Sequence, residues 1–271
     1  MQPLAVANLF KSLHTGAEIL VLPNAWDAAS ARLLQELGAR AIATSSAAVA
    51  WSHGYADGDR LPVPLLLASL KAITRVISIP LTADIEGGYS DDPAVVGETV
   101  GAVIDAGAVG VNLEDGRGSP DLLCAKIKAA RAAADQRGAP LFINARIDVY
   151  LHQLAEGEAA LEEALARAQR YREAGADGIF VPGPTEDAVI SALAWGVGLP
   201  LNVMARAGVS PVERLNALGV RRLSSATGLF RAAFSALTVA GRDFLRNGNP
   251  SALASAGAEA PNFNAWFSAQ A

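Results

Sequence analysis

The sequence predicts a closed (β/α)8 barrel of the TIM type, and three observations carry that reading. Eight short apolar, β-branched segments alternate with longer Ala-, Leu- and Arg-rich segments whose apolar residues recur at helical spacing. Four strands are approached through the same signal, a glycine between a helical run and a strand: Leu37-Gly38-Ala39-Arg40, Ala106-Gly107-Ala108-Val109, Ala174-Gly175-Ala176-Asp177 and Leu218-Gly219-Val220-Arg221. No Gly-x-Gly-x-x-Gly follows any strand, which weakens the alternative for the same alternation, an open doubly wound sheet.

Taken in order, strands are expected at 18–22, 39–45, 79–84, 110–114, 140–146, 178–181, 199–203 and 220–224. Helices are expected near 27–37, 62–77, 93–106, 120–136, 157–174, 185–194, 210–217 and 227–246. The glycines read as helix stops, because glycine reaches the left-handed conformation without a Cβ clash. Regular alternation implies parallel strands joined by helical crossovers. Eight such units in about 230 residues suit a barrel of typical length ~250. The expected organisation is a single domain over 1–271, with a barrel core at about 18–246 and a helical tail at about 247–271. The tail carries Phe263, Trp266 and Phe267, aromatics expected to dock on the chain's own barrel or on a neighbouring subunit.

Composition narrows the function. The 271 residues are 51% apolar and 18% charged, and 22 basic against 27 acidic residues leave a net charge of −5, which disfavours a phosphate-backbone binder. No apolar stretch reaches the ~18–20 residues of a membrane span, and Met1–Leu13 lacks a secretory-leader pattern. The one cysteine, Cys124, excludes an internal disulfide framework and a multi-cysteine zinc site. A cytoplasmic protein with neither membrane nor nucleic-acid partners is expected. Lys11, Lys71, Lys126 and Lys128 all fall in helical segments, so no Schiff-base lysine stands at a strand end. Of His14, His53 and His152 only His53 lies near a strand end, and there is neither a Gly-x-Ser-x-Gly nor a P-loop pattern.

A barrel builds its site where strands end. Asp84 and Glu86 follow the third strand, two residues apart, and on extended backbone they would face the same way. Glu114 ends the next strand, about 4.8 Å away if the two are neighbours, and Asp57 from the loop after strand two reaches the same side. Carboxylates brought together repel unless a cation meets them. Oxygen-only ligation favours Mg2+, with Mn2+ an alternative, over Zn2+. The competing reading is that each acid caps a helix or pairs with an arginine. Arg146, in Phe142-Ile143-Asn144-Ala145-Arg146, offers a fork for a substrate carboxylate or phosphate, or else pairs with Asp148. Ser45, Ser46 and Ala47 form a small-residue loop with N–H groups available to an anion. A metal and an arginine with weak acid–base equipment suit chemistry through an enolate of an α-keto acid.

These residues resemble the isocitrate lyase/phosphoenolpyruvate mutase superfamily. The resemblance runs from about residue 18 to 235 and is carried by Leu22-Pro23-Asn24-Ala25-Trp26-Asp27, Thr44-Ser45-Ser46-Ala47, Asp84-Ile85-Glu86-Gly87-Gly88-Tyr89, Asn112-Leu113-Glu114-Asp115-Gly116 and Asn144-Ala145-Arg146. It implies a Mg2+-dependent carbon–carbon lyase or decarboxylase for a small α-keto or 2-hydroxy di- or tricarboxylic acid. It implies a homotetramer, a dimer of dimers, with the last barrel helix exchanged between subunits. Carried over by position, Ser45, Ser46, Ala47, Asp84, Arg146 and Asn202 would bind substrate. Asp84, Glu86 and Glu114 would form the metal shell, mostly through waters, and Asp57, Glu114 and Arg146 would be catalytic. The segment Gly116-Arg117-Gly118-Ser119-Pro120-Asp121 is short and has no cysteine where the lyase branch carries its catalytic one, which points to decarboxylation or retro-aldol cleavage. The alternatives are a C–P bond enzyme acting on phosphonopyruvate, a non-catalytic keto-acid binder, and a sugar-phosphate enzyme using Ser224, Ser225, Thr227 and Gly228 as a phosphate cradle.

Overall fold

The structure is a computed structural model that describes residues 3–268. Its strands are β1 Leu20–Leu22, β2 Asn24–Ala25, β3 Ile42–Thr44, β4 Leu81–Asp84, β5 Gly110–Glu114, β6 Phe142–Arg146, β7 Gly178–Phe180, β8 Leu201–Met204 and β9 Arg222–Ser224. Its helices are α1 Pro3–Ser12, α2 Ala28–Glu36, α3 Ser46–Ser52, α4 Val63–Thr74, α5 Pro93–Asp105, α6 Pro120–Gln136, α7 Gly157–Ala174, α8 Asp187–Gly196, α9 Val212–Ala217, α10 Gly228–Asn247, α11 Pro250–Ala256 and α12 Phe263–Ser268.

All strand pairs are parallel, in the order β1-β9-β8-β7-β6-β5-β4-β3-β2. β1 and β2 are two pieces of one barrel strand, interrupted at Pro23, which has no N–H to give the ladder. The first piece pairs with β9 and the second with β3, so the sheet closes on itself as a TIM-type barrel. The four stop glycines, Gly38, Gly107, Gly175 and Gly219, have φ of 95°, 97°, 111° and 96°, the left-handed region in which a Cβ would be strained.

Side chains alternate across each strand and divide the apolar from the functional. On β5, Val111 and Leu113 enter the layer beneath the helices, while Asn112 reaches the barrel interior, where it meets Asn144 of β6. α1, which periodicity did not reveal, closes the N-terminal end of the barrel. Phe10 and His14 pack on Phe142, with ring centroids 5.5 and 4.1 Å apart. Gly178 makes room, since a Cβ there would stand 2.9 Å from the Phe142 ring. Burial pushes the His14 pKa down to about 3, so the ring is neutral, and Nδ1 donates to the Phe10 carbonyl.

α10 departs from the ring of packed helices. Of its twenty residues only Phe230 is buried, whereas Phe234, Leu237, Val239, Phe244 and Leu245 are exposed. In the tail, Phe263 contacts Trp266 and Phe267, and Trp266 lies under the Arg32 guanidinium of α2 at 6.0 Å. No described helix is long and apolar enough to cross a membrane.

Candidate functional site

The C-terminal ends of the strands surround a cavity of about 160 Å3. Its wall includes Ser45, Ser46, Ala47, Asp57, Asp84 and Arg146, six of the residues singled out in the sequence. Glu86, Glu114 and Asn202 do not line it. A larger cavity, about 640 Å3, opens at the opposite end between α1 and the turns that precede β4, β5 and β6. Its Arg137 and Asp105 are spent on each other, so it offers no free charge for chemistry.

Asp84 stands at the end of β4, buried, with its N–H donated to the Thr44 hydroxyl at 2.8 Å. Burial raises its pKa above the usual carboxylate range, opposed by the charge of Arg146 and assisted by that of Asp57. Its carboxylate accepts the N–H of Glu86 at 3.5 Å. Glu86 does not share its direction. β4 ends at Asp84, and Glu86 lies beyond it with φ at 52°, so the alternation of an extended strand no longer applies. Its carboxylate turns into the loop after α3, where it accepts the backbone N–H groups of Gly58 (2.7 Å) and Asp59, and the Tyr89 hydroxyl at 3.2 Å. Glu86 therefore fastens the loop that carries Asp57. Burial, reinforced by Asp57, Asp59 and Asp84, pushes its pKa up to about 7 despite the loop N–H groups.

Ser45 caps α3, accepting the Ala48 N–H at 3.4 Å, and Ser46 and Ala47 open that helix outside its ladder, with the Ser46 N–H donated to the Asp84 carboxylate. This short helix was read in the sequence only as a loop of small residues. Three further Ala-rich residues do not make a periodic pattern.

Among the described residues, Arg146 is the one basic side chain in the cavity wall. Its Nε donates to Asp148 Oδ1 at 2.7 Å and its Nη1 lies 2.5 Å from Glu114 Oε2. The second contact is an ion contact without hydrogen-bond alignment, and Glu114 Oε2 has no aligned donor among the described residues. Burial would lower the Arg146 pKa, but Glu114, Asp148 and Asp84 together outweigh it and hold the guanidinium charged. For Glu114, burial dominates over Arg146 and moves the carboxyl up to about 9. Behind Arg146, Asp115 accepts the Asp148 N–H, Arg167 Nη1 and the Tyr171 hydroxyl at 2.9, 2.8 and 2.7 Å. The competing expectation for Arg146, a pair with Asp148, is thus realised together with its place at the cavity. One guanidinium serves both.

Under the floor lies Arg222 of β9, fully buried. Its Nη2 donates to Asn112 Oδ1 at 3.2 Å, while Nε and Nη1 have no partner among the described residues. Burial pushes its pKa down to about 9, with Asp84 acting the other way. Asn112 Oδ1 also accepts Asn144 Nδ2 at 2.9 Å, which fixes the direction of its amide. Asn202 sits in this lower layer, opposite Arg222 in register, and its Oδ1 accepts the Ser224 hydroxyl at 3.2 Å. Arg222 escapes a reading of strand ends because it opens β9 and does not close it. Its parity with Ser224, two residues on, was the available signal.

Among the described residues no three His, Cys, Asp or Glu side chains converge into a cage for an ion. An oxygen-only donor set suits a hard divalent cation. Mg2+ keeps several waters and needs one or two carboxylates. Asp84 offers a buried carboxylate at the cavity, and burial, with the neighbouring acids adding to it, raises the pKa of Asp84, Glu86 and Glu114.

A closed parallel barrel with a buried carboxylate, a guanidinium and a helix N-terminus at one small cavity at the strand ends is the arrangement of a barrel enzyme. Residues 10–245 match the family described as phosphoenolpyruvate phosphomutase. The chain belongs to the phosphoenolpyruvate mutase/isocitrate lyase superfamily, an enzyme family with lyase and mutase members. It is 35% identical over 240 residues to an uncharacterized protein of Mycobacterium tuberculosis, covering 85% of this chain and 88% of that one. It is 32% identical over 204 residues to 2-methylisocitrate lyase of Escherichia coli, covering 71% and 67%. A solved structure described as a putative phosphonomutase from Burkholderia cenocepacia superposes with a TM-score of 0.84 at 41% identity, covering 88% of this chain and 99% of that one.

Proposed function

We propose that this chain is a Mg2+-dependent carbon–carbon lyase or decarboxylase for a small α-keto or 2-hydroxy di- or tricarboxylic acid. The observation that carries the reading is the meeting of the Asp84 carboxylate, the Arg146 fork and the Ser45–Ala47 turn at one small cavity. Asp84 would hold the ion directly, with Asp57, Glu86 and Glu114 around it through water. When bound, the ion polarises a substrate oxygen and stabilises the negative charge that develops there as the bond breaks.

The protein's own groups do the rest. Arg146 binds the substrate carboxylate, and Glu114 and Asp148 set the plane of its fork. In the Ser45–Ala47 turn the Ser46 N–H steadies the Asp84 carboxylate, which leaves the Ala47 end of the turn to face the other substrate oxygens. Glu86 keeps the Asp57 loop closed over the rim. Asn202, below the floor, supports Ser224, which does line the cavity. We read residues 1–271 as one barrel unit. We assign the exposed apolar face of α10 to contact between copies in a dimer of dimers.

The test is pyruvate release from a panel of 2-oxo acids with Mg2+. It is expected to fall about 10³-fold in Asp84→Ala and on chelation. Equal rates without metal would remove the reading. The likeness to a putative phosphonomutase supports a second reading, a C–P bond enzyme. Phosphorus NMR of phosphonopyruvate incubated with the enzyme separates the two.

A further inference from the structure

We infer that Asp115, braced by Arg167 and Tyr171 of α7, is a positioning unit for the Arg146 guanidinium. None of the three lines the cavity. They act on substrate capture through the direction of Arg146 and leave the metal side of the mouth alone. This positioning role rests on the reading of the cavity as a keto-acid site and deepens it.

Asp115 follows the last residue of β5 and takes hold of the end of β6 at two points. Its N–H donates to the Arg146 carbonyl at 3.2 Å, and its Oδ1 accepts the Asp148 N–H at 2.9 Å. Ile147 between them is buried, and its N–H donates to the Phe180 carbonyl at 2.8 Å. The backbone from Arg146 to Asp148 is fixed in this way, and with it the Asp148 carboxylate that accepts Arg146 Nε. Asp115 Oδ2 is occupied in turn by Arg167 Nη1 at 2.8 Å and the Tyr171 hydroxyl at 2.7 Å. Arg167 Nε donates to Glu163, one turn earlier on α7, at 2.7 Å.

The other buried residues of α7 are Ala160, Ala164, Ala168 and Ala174. The helix thus turns small residues inward, and both of its long inward side chains go to one carboxylate. A buried ionic network is a weak source of stability beside apolar packing of the same volume. What it supplies here is direction, because three donors in fixed places admit one orientation of Asp115. Direction matters at Arg146, since a guanidinium is a planar fork whose donors must meet the substrate oxygens. Nε and Nη1 are engaged by Asp148 and Glu114, and Nη2 has no hydrogen bond among the described residues. The donor left for substrate therefore points where Asp148 turns it.

Calorimetry on the full chain tests this with two probes, Mg2+ alone and oxalate at saturating Mg2+. Oxalate stands in for the carboxylate and 2-oxo end of a substrate. Tyr171→Phe removes one hydroxyl and keeps the ring, and Arg167→Met removes the charge. Both are checked for folding by circular dichroism, and Tyr171→Phe alone decides if Arg167→Met does not fold. The expected result is oxalate binding about 10-fold weaker in each, with Mg2+ affinity held within about 2-fold. Lysine is a point charge with no plane to set, so in the Arg146→Lys background Tyr171→Phe should weaken oxalate by less than about 2-fold. Ala160→Gly, two turns before Arg167, loosens α7 without removing a contact to Asp115 and should leave oxalate affinity unchanged. Unchanged oxalate affinity in folded Tyr171→Phe overturns the inference, as does an equal loss in the Arg146→Lys background. A parallel loss of Mg2+ affinity overturns it by placing the effect on the metal side. An equal loss in Ala160→Gly overturns it by making the effect one of helix stability. In all of these cases oxalate still binds the unmodified chain and the keto-acid reading stands. If the unmodified chain binds no oxalate with Mg2+ present, that reading falls and takes the inference with it.

Discussion

On β4, β5 and β6 the inward side chains at the rim are Asp84, Glu114 and Arg146, whereas on β7 and β8 they are Phe180 and Met204. Glu114, Arg146 and Phe180 are consecutive neighbours in register, so ionic chemistry gives way to an aromatic wall within one strand spacing. The acidic arc is held by ion contacts and by hydrogen bonds that reach back to α7 through Asp115, Arg167 and Tyr171. The apolar arc is held by packing. The contrast teaches that one rim divides its labour. The first arc gathers charged groups and carries a desolvation cost for doing so, and the second excludes water without charge.

Breaking the acidic arc should have the largest effect. Arg146→Met leaves the Glu114 and Asp148 carboxyls buried without a cation. It is expected to cost about 3–5 kcal/mol in urea unfolding and to abolish measurable keto-acid binding. If stability is unchanged, the ion contacts are not what holds this arc. Breaking the apolar arc should cost less, because the neighbours of a packed ring can partly collapse. Phe180→Ala is expected to destabilise by about 3 kcal/mol while preserving headgroup binding. Loss of headgroup binding equal to that of Arg146→Met would erase the distinction between the arcs.

The smallest effect sharpens the comparison through pH. The Glu86 pKa is raised in the folded chain from 4.5 to about 7, so the folded state holds this proton more tightly than the unfolded chain. Its contribution to stability is therefore fully present below pH 4.5 and is lost as the pH rises through 7. Metal-free Glu86→Gln should gain stability relative to the parent chain over that window, and added Mg2+ should shrink the gain. Phe180→Ala should differ from its parent by the same amount throughout. A flat Glu86→Gln difference would mean that the loop amides, and not burial, set this carboxyl.

The architecture was largely legible because two signals repeat: β-branched runs and the left-handed stops at Gly38, Gly107, Gly175 and Gly219. What escaped was short or non-periodic. α3 has seven residues, and the plug α1 is defined by what it packs against, Phe142 and the bare position at Gly178, more than by its own pattern. At the site, residue types and strand ends brought Asp84, Arg146 and the Ser45–Ala47 turn to one place. Directions were harder. The pairing of Asp84 with Glu86 assumed extended backbone, and a single left-handed residue redirected the second acid into the Asp57 loop. Arg222 escaped because a basic residue in a barrel strand has no local signature, and its partner Asn112 lies 110 positions away in sequence.

That arginine has a wider consequence. Its charge acts on Asp84 from a position that does not line the cavity. The electrostatic tone of the mouth is thus set in part from beneath, by an arginine sealed away from whatever enters above.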